Sequence, residues 1–301
     1  MTSFRQIPQG EEVFLDHLAH FVPDMPAAER ALAALGFELT PFTEQRNRTP
    51  EGFVPAGTGN RCAMLRSGYL EFLTRCSDTP LARRLEAALE RYTGVHLLAM
   101  TVADVDAGRA QLAREGFEPD EPVRLTRAIP LPDRGEAEGR FSVVRVPPQK
   151  MPEGRIQVLA HHTPEIVWQE RWMAHENRVV SLEAALLVVA DPLEAAARYG
   201  RFLGREPVRL DPQRVLLRLD RGALVFVADA VPFGFPKAPA MPWIAASALG
   251  SEDREASLAH FTAGGATSLG VHSGEDLLAL PAALGGHVSL GAPDCLPFWA
   301  R

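Results

Sequence analysis

The chain has 301 residues, of which 46 % are hydrophobic and 23 % charged, with a formal net charge of −7. This composition is ordinary for one large or two average globular domains, and it excludes wholesale disorder. The negative net charge gives no indication of a basic surface for nucleic acid. The apolar runs are all much shorter than the ~18–20 residues of a membrane helix. The N-terminus lacks the apolar stretch of a signal peptide, and the three cysteines form no CxxC pair. We therefore expect a cytoplasmic protein with reduced thiols.

One pattern recurs along the chain: a short apolar run ending in Asp, a helix-like stretch, and then a glycine. Its first three copies pair Asp24 with Gly36, Asp104 with Gly116, and Asp191 with Gly204. Asp is a favoured N-cap because its side chain accepts hydrogen bonds from the first free N–H groups of a helix. Gly suits the left-handed conformation that ends one. A weaker fourth copy has Ser251 before its helix-like stretch and Gly264 after it.

Strand-like runs follow the first three predicted helices, at 37–42, 61–65 and 69–74 in the first copy. Each copy is therefore predicted to be a βαβββ unit. Four such units pair into two domains, 1–180 with the candidate site and 181–301 as a degenerate pair. The polar stretches 42–60 and 130–139 are predicted to be long loops, either binding loops or plain surface loops.

The repeat and the opening strand, with Asp16-His17-Leu18, resemble the vicinal oxygen chelate superfamily, and within it the glyoxalase-like domain group. Further likeness lies at 57–61, 68–71, 94–97, 151–157 and 162–168. The superfamily includes glyoxalase I, fosfomycin-resistance proteins, methylmalonyl-CoA epimerase and extradiol dioxygenases. The resemblance implies an α+β fold of four βαβββ modules, paired into two cupped, barrel-like mixed sheets with helices outside. It also implies a divalent metal ion (Zn, Fe, Mn or Ni) inside a cup.

The resemblance places metal ligands on the first and last strands of each unit. In the first unit these positions hold His17, seven residues before the capping Asp, and Glu71. In the second unit the first-strand position holds Leu97, and the adjacent His96 becomes a ligand only if a β-bulge shifts the register. The last-strand position holds Gln157, whose amide oxygen is a weaker donor than a carboxylate.

The stretch that ends the second unit is dense in functional side chains. His161 lies on the same strand face as the amide ligand, so we expect it to act catalytically at the mouth of the cup, as a proton shuttle. Arg155, His162 and Trp168 are predicted to bind the substrate, Arg155 through an anionic group and Trp168 as an apolar wall. The alternatives for Arg155 are an ion pair with Glu71 or a plain surface position, and the alternative for Trp168 is a packed core position.

The mapped ligand positions of the third unit hold Ala184 and Val225, which are not metal donors. The C-terminal half is therefore expected to close the structure rather than to carry a site. A single chain of four units then replaces the dimer of two-unit relatives, and the protein is expected to be a monomer or a homodimer.

Two functions remain open on the sequence. One is a metal-dependent enzyme, a lyase, isomerase or dioxygenase acting on a small oxygenated molecule, with Glu71 as a general base. A ring-cleaving dioxygenase needs two histidines and one carboxylate, hence an inward-facing His96. The other is a metal-free protein that binds or sequesters a small molecule, which Leu97 and Gln157 at ligand positions favour. A third hypothesis is a scaffold protein without a ligand site, in which side chains fill both cups.

Overall fold

The computed structural model describes residues 5–49, 52–132 and 135–301. Unit one contains β1 (Val13–Phe21), α1 (Met25–Ala34), β2 (Thr43–Thr49), β3 (Gly52–Met64) and β4 (Tyr69–Arg75), and α2 (Pro80–Leu89) follows it. Unit two contains β5 (Gly94–Val102), α3 (Val105–Arg114), β6 (Val123–Pro130), β7 (Glu136–Arg145) and β8 (Arg155–His161). The short helices α4 (Pro164–Val167) and α5 (Glu170–Met173) lead to unit three.

Unit three contains β9 (Val179–Val188), α6 (Pro192–Leu203), β10 (Val208–Arg209), β11 (Arg214–Arg218) and β12 (Ala223–Val227). Unit four contains β13 (Trp243–Ser251), α7 (Arg254–Ala263), β14 (Thr267–His272), β15 (Glu275–Ala279) and β16 (His287–Gly291). Short 3₁₀ turns lie at Pro148–Lys150, Val231–Phe233 and Phe298–Ala300. The predicted βαβββ order is therefore present in every unit.

The strands pair in the same way in both halves. The first strand of each unit runs parallel to the last strand of that unit, and the first strands of units one and two are antiparallel, as are those of units three and four. The halves join into one mixed sheet where Ile244 of β13 pairs with Val95 of β5. The helices lie outside this sheet, so the predicted α+β class is confirmed.

The helix caps follow the predicted chemistry in three units. Asp24, Asp104 and Asp191 each accept hydrogen bonds from backbone N–H groups in the first turn of their helix. In unit four the cap is Asp253 rather than Ser251, because Ser251 ends β13 and its hydroxyl accepts from the Asp253 N–H. The left-handed residue there is Gly265, with φ 91°, whereas Gly264 has φ −79°.

The described residues of 42–60, predicted as a loop, lie almost wholly in strands, so that prediction is wrong. The stretch 130–139 contains the end of β6, the start of β7 and the non-strand residues Leu131, Pro132 and Gly135 between them. Strand β2 pairs with β3, and β6 pairs with β7. Strand β2 (Thr43–Thr49) contains only polar residues, so it lacks the apolar alternation by which a sequence indicates a strand. The strand after α1 therefore begins at Thr43 and not within 37–42.

Buried polar contacts also join the two halves. The Arg198 guanidinium of α6 donates to both oxygens of Glu153, at 2.8 and 3.0 Å, and the Glu153 side chain is almost wholly buried. The Tyr92 hydroxyl accepts from the Ile244 N–H at 3.3 Å, beside the strand pair that joins the sheet. None of the helices in the described ranges combines the length and apolarity needed to span a bilayer.

Candidate functional site

A cavity lies inside the cup of units one and two, lined by side chains from β1, β4, β5 and β8 and from both hairpins. Its free volume is ≈ 140 Å³, and an apolar cavity of about 150 Å³ is large enough to hold benzene. Apolar walls come from Leu73, Leu97, Leu125, Phe141 and Val143. Converging polar side chains among apolar walls are the usual composition of a small-molecule site. We call this space the N-terminal cavity.

The four mapped ligand positions meet on the wall of the N-terminal cavity. Because β1 and β5 are antiparallel, His17 and Leu97 occupy equivalent places in the two units. Glu71 of β4 and Gln157 of β8 are equivalent as well. Glu71 pairs with Ala19, two residues after His17, and Gln157 pairs with Ala99, two residues after Leu97. All four side chains line the cavity. The duplication therefore presents three polar groups and one apolar group to one space.

His17 and Glu71 approach each other closely, with 3.6 Å between His17 Nε2 and Glu71 Oε2. Two ligands of one ion lie within about 4 Å, since each sits ~2.0–2.2 Å from the metal. The Asn60 amide donates to Glu71 Oε1, and Gln45 Nε2 lies 3.5 Å from the same oxygen. The Tyr69 ring stacks on the His17 imidazole with 4.3 Å between centroids. Both side chains are therefore held in place by neighbours.

Asp16 organises His17 from behind the cavity wall. It is the extra residue of a β-bulge in β1, and it is fully buried. Its Oδ2 accepts from His17 Nδ1 at 2.7 Å, and its Oδ1 accepts from His161 Nε2 at 3.0 Å. Burial alone would raise the pKa of Asp16, but the two imidazoles outweigh it and hold that pKa below its usual range. In neutral His17 the proton therefore sits on Nδ1, and the Nε2 lone pair faces Glu71.

Gln157 supplies a third donor. Its Oε1 is buried and has no hydrogen-bond partner among the described residues. An imidazole, a carboxylate and an amide oxygen form a set that suits divalent zinc, manganese, iron or nickel. Asp16 is the kind of partner that usually orients a metal-bound histidine. Within the described part of the chain no three His, Cys, Asp or Glu residues form a metal-binding group, so the fit depends on the amide.

His96 does not enter the N-terminal cavity. The register between β1 and β5 does shift by one residue between Leu97 and Val95, so the expected bulge is present at His96. However, His96 Nε2 lies 2.8 Å from the Tyr92 carbonyl oxygen, and its ring stacks on the Tyr92 ring at 3.9 Å. Burial lowers the pKa of His96 to about 4. The bulge thus turns the imidazole away from the proposed ligand set.

The side chains predicted near the mouth of the cup lie mostly outside it. His161 is fully buried, 4.6 Å from the Trp168 ring, and it reaches His17 only through the aspartate between them. Trp168, just after α4, does not line the cavity, whereas Trp172 in α5 does. His162 is exposed, with Nε2 2.8 Å from the Ser142 hydroxyl.

Arg155 does line the N-terminal cavity, beside Arg127 and Arg145, which sequence reasoning missed. Arg145 of β7 lies opposite Gln157 of β8, and both side chains face the cavity. Burial, followed by the nearby charge of Arg145, lowers the pKa of Arg155 to about 9. The cavity therefore holds a group of closely spaced guanidinium side chains.

Units three and four place small or apolar residues at most of the positions equivalent to the ligand set. These four positions hold Ala184, Val225, Ala246 and Ser289. The Trp299 side chain is fully buried and belongs to the same apolar cluster as the first three of these residues. The mapped positions of this half therefore lack the imidazole and the carboxylate of the N-terminal cup.

The family model described as "Glyoxalase-like domain" matches residues 15–203, more than half of the chain. The protein belongs to this glyoxalase-like family. The matched residues include both units of the N-terminal cup and all four mapped ligand positions. A comparison with curated proteins finds no match.

Solved structures of low sequence identity share the fold. A hypothetical protein from Staphylococcus aureus aligns with a TM-score of 0.64 and 11 % identity, covering 93 % of this chain and 99 % of its own. The Mn(II)-bound glyoxalase from Novosphingobium aromaticivorans gives 0.56 and 14 %, over 93 % and 82 % of the two chains. A mutant of 4-hydroxymandelate synthase from Streptomyces coelicolor gives 0.55 and 13 %, over 94 % of each. The glyoxalase-like protein thus has the fold of the vicinal oxygen chelate superfamily.

Proposed function

We propose that the protein is a metal-dependent lyase or isomerase that binds a divalent ion through His17, Glu71 and Gln157 and acts on a small oxygenated molecule. The observation that carries this proposal is the 3.6 Å separation of His17 Nε2 and Glu71 Oε2 inside a cavity of ligand size. The similarity to a Mn(II)-bound glyoxalase supports the choice of a divalent ion. A cytoplasmic location and a monomeric or homodimeric state stay predictions.

The donors favour lyase or isomerase chemistry over ring-cleaving dioxygenase chemistry. Oxygenases of the second kind use two histidines and one carboxylate. Of the histidines that the structure describes, only His17 lines the N-terminal cavity. His96 binds the Tyr92 carbonyl, and His161 binds Asp16 behind the wall.

The residues of the cavity have separate roles in this chemistry. A bound divalent metal supplies Lewis-acid stabilisation of negative charge on a substrate oxygen. Asp16 keeps the His17 Nε2 lone pair turned toward Glu71. The Glu71 carboxylate, oriented by the Asn60 amide, accepts a proton from the substrate carbon next to the carbonyl. Apolar walls such as Leu97 limit the water that reaches the site.

Metal analysis tests the metal site. We expect about one divalent ion per chain in the purified protein. After chelation, Mn(II), Zn(II), Co(II) and Ni(II) are titrated by calorimetry into the wild type and into His17→Ala and Glu71→Gln, each of which removes one donor. Both variants should bind at least about a hundredfold more weakly. The matched control is His260→Gln, which removes an imidazole from α7 in the other half. If the wild type binds none of the four ions, the proposal fails and a metal-free binding protein is favoured.

Proton exchange tests the reaction. Small α-hydroxy ketones and α-keto aldehydes are incubated with the metal-loaded protein in D₂O, and exchange at the carbon next to the carbonyl is followed by NMR. At metal concentrations that saturate both proteins, we expect exchange in the wild type and a rate reduced about 10²–10⁴-fold in Glu71→Gln, because the proton acceptor is lost. Equal exchange rates with and without the Glu71 carboxylate contradict its role as the base.

A further inference from the structure

Among the described residues, four arginines line the N-terminal cavity, and three of them are half-buried without a counter-ion, whereas Arg46 is exposed. Arg127, Arg145 and Arg155 come from the neighbouring strands β6, β7 and β8 and all face inward. No described residue forms an ion pair or a side-chain hydrogen bond with any of the three guanidinium groups. The Arg145 Nε atom is buried and unpartnered. Half-buried charges without partners reduce the stability of a fold, so their presence calls for a ligand.

The other half-buried arginines that the structure describes each have an acid or a backbone carbonyl as a partner. Arg198 binds Glu153, Arg205 binds Asp220, and Arg221, which has no acid partner, donates to the Leu15 carbonyl. Half-buried guanidinium groups without any partner are therefore confined to the cavity. The charge balance of the cavity wall agrees, because Glu71 is the one carboxylate among the described lining residues and faces several guanidinium groups.

The charges of Asp120 and Glu71 act on Arg145 and Arg155 respectively, but neither acid forms an ion pair with them. Glu71 is held by Asn60 and faces His17. Asp16 lies behind the wall, and both of its oxygens accept hydrogen bonds from imidazoles. No carboxylate of the described wall lies within ion-pair distance of the three guanidinium groups.

We infer that the ligand of the N-terminal cavity carries an oxyanion, a carboxylate or a phosphate-type group, bound by Arg127, Arg145 and Arg155. Guanidinium groups match both anions with paired N–H donors. The rest of the ligand packs on the apolar wall of Leu125, Phe141 and Val143, and the cavity volume limits it to a few carbon atoms. This inference rests on the proposed function only in taking the anion to be part of the substrate.

Binding of three small probes tests the inference: isobutyrate, its neutral isostere isobutyramide, and methylphosphonate. Affinities are measured by NMR on the protein as purified. We expect both anions to bind at least about tenfold more tightly than the amide, since hydrogen bonds from a guanidinium to an anion are charge-assisted and the amide offers no negative charge. The tighter of the two anions identifies the head group. Equal affinity for isobutyrate and isobutyramide overturns the inference.

Arginine variants locate the anion. Arg145→Met and Arg155→Met should each weaken anion binding about tenfold or more, whereas Arg155→Lys should lose less because the charge remains. The matched control is Arg124→Met, which removes an exposed arginine from the same strand as Arg127, three positions away. Thermal melts identify variants that fail to fold, and Arg145→Gln then replaces Arg145→Met. Anion binding unchanged in the cavity variants contradicts the assignment.

Metal removal separates this inference from the proposed function. A carboxylate can also bind a metal ion directly, so the probes are measured again after chelation. Anion preference that persists without metal supports the arginine site even if the protein binds no metal, in which case only the proposed function fails. Preference that disappears with the metal, while metal binding itself is confirmed, overturns the arginine site alone.

Discussion

The carboxylate of Asp16 lies 2.7 Å from Nδ1 of His17, its neighbour in strand β1. Adjacent residues of a regular strand point to opposite faces, and the bulge at Asp16 is what lets the two side chains meet. The same carboxylate holds His161, which comes from the last strand of unit two. One buried acid thus connects the two units of the cup and fixes the orientation of a cavity histidine.

Replacing Asp16 by Asn should weaken metal binding without removing a ligand. The amide keeps the shape of the side chain, but it no longer presents two anionic oxygens to the two imidazoles. Loss of such an orienting partner typically costs about 10–100-fold in metal affinity. Calorimetric titration of chelated protein measures the change, with Asp24→Asn, an exposed helix cap that stays a good cap, as the control. Wild-type metal affinity in Asp16→Asn contradicts the orienting role.

Leu97 should become a metal ligand when replaced by His. It occupies the place in unit two that His17 occupies in unit one, so the new imidazole joins the existing donors. A further nitrogen ligand completes the four-coordinate set that zinc prefers, and we expect about tenfold tighter Zn(II) binding. Leu125→His places an imidazole on the cavity wall at a position that the duplication does not map to a ligand. If Zn(II) affinity rises equally in Leu97→His and Leu125→His, the equivalence of Leu97 with His17 is contradicted.

Acid should destabilise the fold through His175. Its Nε2 donates to the Met64 carbonyl at 2.8 Å, and its Nδ1 accepts from the Glu38 N–H at 3.0 Å, so protonation breaks a hydrogen bond. Burial lowers the pKa of His175 to about 4, against about 6.5 in the unfolded chain. The unfolded state therefore binds more protons between these values. The free energy of unfolding falls as the pH is lowered through this window, by up to about 1.4 kcal/mol per unit.

Urea unfolding between about pH 7.5 and 4.5 measures this slope. His175→Gln should lower the overall stability. It should also reduce the slope of the unfolding free energy against pH by the equivalent of about one bound proton. His20 and His96, whose pKa values burial likewise lowers to about 4, continue to contribute the remainder. His260→Gln should keep the wild-type slope. Parallel curves for the wild type and His175→Gln contradict the prediction.

Removing the Trp299 side chain should destabilise the C-terminal half. The side chain is fully buried in the apolar cluster of that half, and replacement of a buried tryptophan by Ala costs about 3–5 kcal/mol. Denaturant unfolding measures the loss, and Val271→Ala, at an exposed position, is the control. Metal affinity in the folded variant should match that of the wild type, because the N-terminal cavity lies in the other cup. A loss of stability below about 1 kcal/mol contradicts the role of Trp299 as a core residue.

The architecture was predictable because N-capping acids, glycines at helix ends and apolar runs are local signals that repeat in each unit. His17 and Glu71 were found by the same route, since their spacing from Asp24 and Gly68 maps them to the inner strands. Asp16 was not, because a bulge depends on the register between strands and leaves no mark in one strand alone. Two signals pointed toward it, namely its place beside His17 and its acidic side chain in an apolar run.

The hairpins and their arginines were missed for another reason. A strand of polar residues has no periodicity to detect, so the sequence predicts a loop where β2 lies. Arg127 and Arg145 look like ordinary strand arginines until the fold shows that neither has an acidic partner. A missing partner is a tertiary property, and a single sequence does not display it.

The indole of Trp299 makes the C-terminal half a starting point for an engineered receptor. Shortening this residue to glycine would open space in the apolar cluster that also contains Ala184 and Ala246. Free indole supplied from solution would restore the lost packing, so the melting temperature would report its concentration. One half of the duplicated architecture would then keep the N-terminal cavity while the other served as a chemical sensor.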